Sequence, residues 1–127
     1  MESGLFFKIR AVTLVLITFL LLAFILSEKE KLREVEQLCN KGMACLANNQ
    51  PRQAVAYFKK ALEINADYYD ACCNLGLAYE ALGENKEAMA YFRKTLKMTA
   101  DKGGTSKKVK KFALRFLDFV SGPFKNK

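Results

Sequence analysis

The chain has 127 residues, 51% of them hydrophobic, and a net charge of +8. That length allows one small domain at most. The absence of histidine removes the commonest general base and the commonest metal ligand. The four cysteines, Cys39, Cys45, Cys72 and Cys73, show no C-x-x-C spacing, so no metal site and no cofactor is expected.

The charge is uneven along the chain. Residues 1–34 carry five Lys/Arg and four Glu, a balance of +1, and residues 35–101 carry eight of each sign. Residues 102–127 carry eight Lys/Arg against Asp118 alone, which gives +7. A nucleic-acid-binding domain would spread its basic surface over the fold, so a tail-bound charge argues against nucleic acid as partner.

Residues 1–27 read as a membrane anchor. Ala11 to Leu26 is a run without charge, AVTLVLITFLLLAFIL, and Leu5, Phe6, Phe7 and Ile9 extend it if Lys8 and Arg10 snorkel to the headgroups. Leu5 to Leu26 makes about 33 Å of helix against a hydrocarbon core of ~30 Å. A cleaved signal peptide is the rival reading, although the apolar run is long and no clean small-x-small cleavage site follows it. Lys8 and Arg10 stand on one side, with Lys29, Lys31 and Arg33 on the other. The count slightly favours a single-pass protein with its C-terminal part in the cytoplasm. Four cysteines without disulfide spacing lean the same way.

Residues 28–34 form a short helical linker. Ser27-x-x-Glu30 has the form of a capping box at which a helix could restart. With no Gly or Pro between Leu5 and Lys41, the membrane helix can equally run straight on.

Residues 35–102 contain one segment twice, 34 residues apart. Leu38 to Asp67 laid over Cys72 to Asp101 without a gap gives 13 identical pairs of 30, including Gly42/Gly76, Ala54/Ala88 and Phe58/Phe92. A fixed period of this length marks a stacked-repeat fold. Helices are predicted at about 34–47 and 51–64 in the first copy (35–68), and at about 68–81 and 85–98 in the second (69–102). Asn48-Asn49-Gln50 is the first turn, and Pro51 follows at a position where its missing N–H costs nothing. Gly83 suits a left-handed C-cap, and Asp67 an N-cap.

Residues 103–127 hold a basic amphipathic helix and tail. The helix is predicted from about 107 to 120 with Ser106 as cap. Val109, Phe112, Ala113, Phe116, Leu117 and Val120 make one apolar stripe, with Lys107, Lys108, Lys110, Lys111 and Arg115 opposite. The stripe suits a cap over the second repeat pair. The basic face suits solvent, with anionic lipid as a second reading.

The repeats resemble the tetratricopeptide repeat family, whose pattern is W-x2-L-G-x2-Y, A-x3-F and a closing P. The second copy supplies Cys72-x2-Leu75-Gly76-x2-Tyr79 and Ala88-x3-Phe92, and the first Leu38-x2-Lys41-Gly42-x2-Cys45 and Ala54-x3-Phe58. The leading Trp is absent from both, and Ala66 and Ala100 replace the closing proline. The fold class implied is all-α: an N-terminal transmembrane helix, two antiparallel helix-turn-helix repeats and a C-terminal capping helix.

The resemblance implies a concave groove that binds a peptide or an amphipathic helix. Its lining would be Glu36, Cys39, Asn40, Met43 and Leu46 from the first repeat, and Asp70, Cys73, Asn74, Leu77 and Glu80 from the second. Such a groove reads as apolar with mild acidity. One subgroup of the family grips a C-terminal carboxylate with Lys and Asn, but Cys39 and Met43 stand at those positions. Cys39 and Cys73 recur at one site on neighbouring helices about 8–10 Å apart, too far for an unstrained disulfide.

The functional expectation is a membrane-anchored scaffold or adaptor with no enzymatic activity. A permanent accessory subunit of a larger membrane complex is the alternative, since two repeats are few and dimerisation or docking would cover their open faces. A secreted or periplasmic repeat protein after signal cleavage is the third.

Overall fold

The computed structural model describes residues 2–102, 111, 113–119 and 122. The chain divides into two units, Met1–Arg33 and Glu34–Lys127. Among the described residues every regular element is helical. The elements are α1 (Glu2–Ala47), α2 (Pro51–Ile64), α3 (Tyr69–Ala81), α4 (Asn85–Lys102) and a C-terminal α5 (residues 113–119).

The first unit is helix alone. It belongs to α1, which does not restart at Ser27. None of the apolar stretch is buried against protein. Its two hydroxyls turn inward to the backbone: Thr13 Oγ1 donates to Arg10 O at 2.9 Å and Thr18 Oγ1 to Val15 O at 2.8 Å. A hydroxyl satisfied by its own helix presents no orphan donor to an apolar surrounding. Just beyond, Lys31 Nζ meets Glu28 Oε1 at 3.0 Å, an exposed i,i+3 pair worth a few tenths of a kcal/mol.

The second unit is a stack of helices around one core. The core comprises Val35, Cys39, Ala54, Phe58, Ala61, Ala71, Cys73, Leu75, Ala78, Ala88, Phe92, Ala113 and Phe116, with Tyr79 at its edge. The helices approach closely because glycine faces an aromatic ring in each repeat. A Cβ placed on Gly42 would lie 2.6 Å from Phe58 Cε1, and one on Gly76 would lie 2.8 Å from Phe92 Cε1. Both phenylalanines are fully buried. α3 packs against both α2 and α4. This explains why Leu75 is fully buried while Lys41, at the equivalent place in α1, is exposed.

The two helical hairpins turn by the same device. Gln50 N donates to Cys45 O at 2.8 Å and Asn49 N to Leu46 O at 3.1 Å; in the second copy Glu84 N donates to Tyr79 O at 2.9 Å and Gly83 N to Glu80 O at 2.9 Å. Each is a Schellman ending with a left-handed residue after the cap. Gly83 has φ 78° and Asn49 has φ 59°. The left-handed cap expected at Gly83 is thus present, and Asn49 does the same work with a side chain attached.

The expected N-cap at Asp67 is not what forms. The cap position of α3 falls on Tyr68, with no side-chain hydrogen bond, and the Asp67 N–H instead donates to Asn65 Oδ1 at 3.1 Å. That Asx-type turn stops α2 at Ile64 and shifts the start of α3 by one residue. Thr99 occupies the place of Asn65 in the second copy. Its hydroxyl bonds back to Leu96 O at 2.7 Å, and α4 continues to Lys102, four residues beyond the expected end. With Ala100 in place of the family's proline, nothing halts the helix there.

α5 lies on the second hairpin. Ala113 is fully buried, Phe116 is nearly so, and the Phe116 ring sits 4.7 Å from that of Phe92 at 53°. Lys111 and Arg115 are exposed, as the amphipathic reading requires. Ser106, Lys107, Lys108, Val109, Lys110, Phe112 and Val120 lie outside the described residues.

Two predictions follow from this packing. Gly42→Ala gains about 1 kcal/mol of helix propensity but drives a methyl into a buried ring, which costs about 1–3 kcal/mol. The net effect is a lower melting temperature by circular dichroism in detergent, and an increase would contradict the packing. At the first turn, Asn49→Ala should lose about 1 kcal/mol while Asn49→Gly loses none, because only the former strains a left-handed residue. Equal melting temperatures would mean that Asn49 is not left-handed in solution.

Candidate partner-binding groove

The residues expected to line a groove recur on α1 and α3 in the same three- and four-residue spacing, which assigns each set to one side of its helix. The structure brings six of the ten expected groove residues around one cavity of about 340 Å³: Glu36, Cys39, Asn40 and Met43 from α1, and Asp70 and Asn74 from α3. Asn40 and Asn74 are the same repeat position on neighbouring helices.

The lining adds Tyr68, which the sequence reading missed. Tyr68 lies in the connection before α3, outside the helical positions from which a groove is inferred. Its ring stacks beside Tyr69, with centroids 6.4 Å apart. The only signal for it in the sequence is its place at the position before α3, next to the groove residues that begin with Asp70.

The other four expected residues stand elsewhere. Cys73 is buried in the core, and Leu46 and Leu77 are half-buried against it. Glu80 lines a second cavity of about 490 Å³ with Arg115, Phe116, Asp118 and Phe119 of α5. The cavity is therefore more polar than the apolar groove expected from the sequence. The leucines expected to make it apolar turn toward the core, leaving Met43 as its exposed apolar side chain. Of the basic residues expected on the C-terminal helix, Lys111 and Arg115 are placed and exposed.

The electrostatics around the cavity are those of partly buried acids. Burial pushes the Cys39 thiol up to about 11, and Asp70 and Glu36 add to the shift. Burial also raises the Cys73 thiol to about 11, helped by Asp70 and Cys72. The Tyr68 hydroxyl is raised, first by burial and then by Asp70. Asp70 and Glu80 are themselves raised by burial. All four cysteines are free thiols. Among the described residues no group of three or more His, Cys, Asp or Glu is placed to hold a metal ion.

The raised thiols make the fold sensitive to alkali. A thiol that ionises near 9 when unfolded and near 11 when folded stabilises the fold fully below the lower value. That stabilisation is lost as pH rises from about 9 to about 11. The melting temperature should fall across this window, and less so in a Cys39→Ala/Cys73→Ala variant. An equal fall in both proteins would remove the thiols as the cause.

Residues 35–68 match one family model of the tetratricopeptide repeat, and residues 69–102 match a second. No curated protein matches the chain. The two matches together span just over half of the sequence and meet at the boundary between the two helical hairpins. Their period, the glycine–phenylalanine contacts and the paired helix endings all agree: the chain belongs to the tetratricopeptide repeat family, whose repeats are protein–protein interaction modules.

Proposed function

We propose that the protein is a single-pass membrane-anchored adaptor that holds a protein partner in its repeat groove. The observation that carries this reading is the composition of α1. One helix contains an apolar stretch long enough to cross a membrane and four of the residues around the groove cavity. Glu36, the first of them, follows Leu26 by ten positions.

The apolar stretch would be costly in water. Sixteen of its large hydrophobic side chains between Leu5 and Leu26 are more than half exposed, from Leu5 at 63% to Leu26 at 52%. Exposed apolar surface on this scale marks a membrane or an interface. The groove supplies the other half of the function. It is lined by hydrogen-bonding groups from two helices and the connection before α3, which suits binding.

The test is fractionation of the native chain with N-terminal sequencing. The adaptor reading expects the intact N-terminus in the membrane pellet, resistant to alkaline carbonate. A mature protein beginning at Glu28 in the soluble fraction would overturn the anchor and favour a processed, soluble repeat protein.

A further inference from the structure

The outward side of α5 mixes cations with large apolar side chains. Lys111 and Arg115 stand four residues apart, on one side of the helix, and both are exposed. Helical spacing puts Leu114 and Phe119 at the two edges of that side, where they are 46% and 81% exposed. Ala113 and Phe116 take the opposite side and are buried. A single apolar side chain on a surface needs no explanation. Here two fall together: among the described residues after Leu26 the exposed large hydrophobics are Leu32, Met43, Leu114 and Phe119. A helix face made only for water carries polar side chains at such positions.

The charge of the chain is a second, independent observation. Residues 35–101 are neutral overall, whereas residues 102–127 carry +7 with Asp118 as their only acid. Asp118 and Glu80 line a cavity with Arg115, so Arg115 has acids beside it. Lys111 does not line that cavity.

Resting on the membrane anchor of the adaptor reading, we infer that the outward side of α5 lies on an anionic lipid surface. Lys111 and Arg115 meet the lipid phosphates, and Leu114 and Phe119 enter the headgroup layer. An anionic bilayer is the occupant that uses both kinds of side chain. A purely acidic protein segment pairs with the cations and leaves the two apolar groups in water, whereas a headgroup layer buries them. Each cation brought to an anionic leaflet improves partitioning about fivefold. The anchor confines the chain to a bilayer, so even a weak surface contact acts at high effective concentration.

The test uses the full chain reconstituted into two kinds of vesicle, one of phosphatidylcholine and one of an equal mixture of phosphatidylcholine and phosphatidylglycerol. The chain has no tryptophan, so Phe119→Trp supplies a single reporter at an exposed position. Its emission should shift to the blue in the anionic vesicles, become quenchable by brominated lipid, and revert in high salt. Adding Lys111→Gln and Arg115→Gln should lower the surface-bound to free ratio by on the order of tenfold or more. Lys60→Gln with Arg93→Gln removes the same charge from exposed positions on α2 and α4 and should leave the ratio unchanged. If Phe119→Trp lowers the melting temperature, Leu114→Trp carries the same readout. Flotation of the chain with both vesicles, together with identical tryptophan emission in the two, overturns the lipid contact and leaves the anchor standing. An equal loss from both double substitutions overturns it too, as non-specific attraction. Flotation on the anionic vesicles alone, reversed by salt, overturns the anchor and leaves the lipid-facing helix standing. Flotation on neither overturns both.

Discussion

The repeat domain depends on one contact made twice: an aromatic ring laid on a glycine of the facing helix. Phe58 over Gly42 and Phe92 over Gly76 set how near the two helices of each hairpin come, since a Cβ at either glycine would stand inside 3 Å of a ring carbon. Each ring buries on the order of 150–250 Å², so the contact is also a large share of the core. Glycine inside a helix normally costs about 1 kcal/mol relative to alanine. Here that cost is offset by close packing, which alanines 54, 61, 71, 78 and 88 continue along the same interfaces.

From that spacing the asymmetry of the two repeats follows. α3 is an inner helix, packed on both sides, and tolerates Leu75, Cys72 and Ala71 fully buried. α1 carries Lys41 and half-buried Leu38 at the matching places, as an outer helix can. At the other end of the stack, Phe92 would present an open aromatic face. Phe116 and Ala113 of α5 close it, and Phe116 meets the Phe92 ring at a tilted angle typical of favourable aromatic pairs. On the remaining side, Tyr79 stacks with Tyr91 at 5.6 Å, and Lys59 Nζ stands 5.8 Å from the Tyr79 centroid. The stack is thus finished differently at its two ends, by a charged residue at one and an added helix at the other.

Polarity within the groove is a consequence of the same geometry. A helix that gives its small residues and leucines to the core has only the remaining positions to offer a partner. In α1 these are Glu36, Asn40 and Met43; in α3 they are Asp70 and Asn74. Partial burial then raises Asp70 and, through burial and the nearby acids, the Cys39 thiol. Among the described residues lining the cavity, Glu36 and Asp70 are the charged ones, in a protein whose positive charge is concentrated after residue 101.

Much of this was legible in the sequence because it depends on local pattern. The 34-residue duplication, the glycine and phenylalanine positions, the bounds of α2 and the left-handed Gly83 all follow from spacing and from what one residue type can do alone. The length and apolarity of the N-terminal stretch are likewise written in composition. Other features were settled only by tertiary packing. Asn65 and Thr99 occupy one repeat position, yet one side chain turns to the chain ahead and stops a helix, while the other turns back and lets it run. Tyr68 lines the cavity from the connection between α2 and α3, which no helical spacing marks, and Leu46 and Leu77 pack against the core instead. A helical periodicity assigns a residue to a face, but only the neighbouring helix decides whether that face is interior or open.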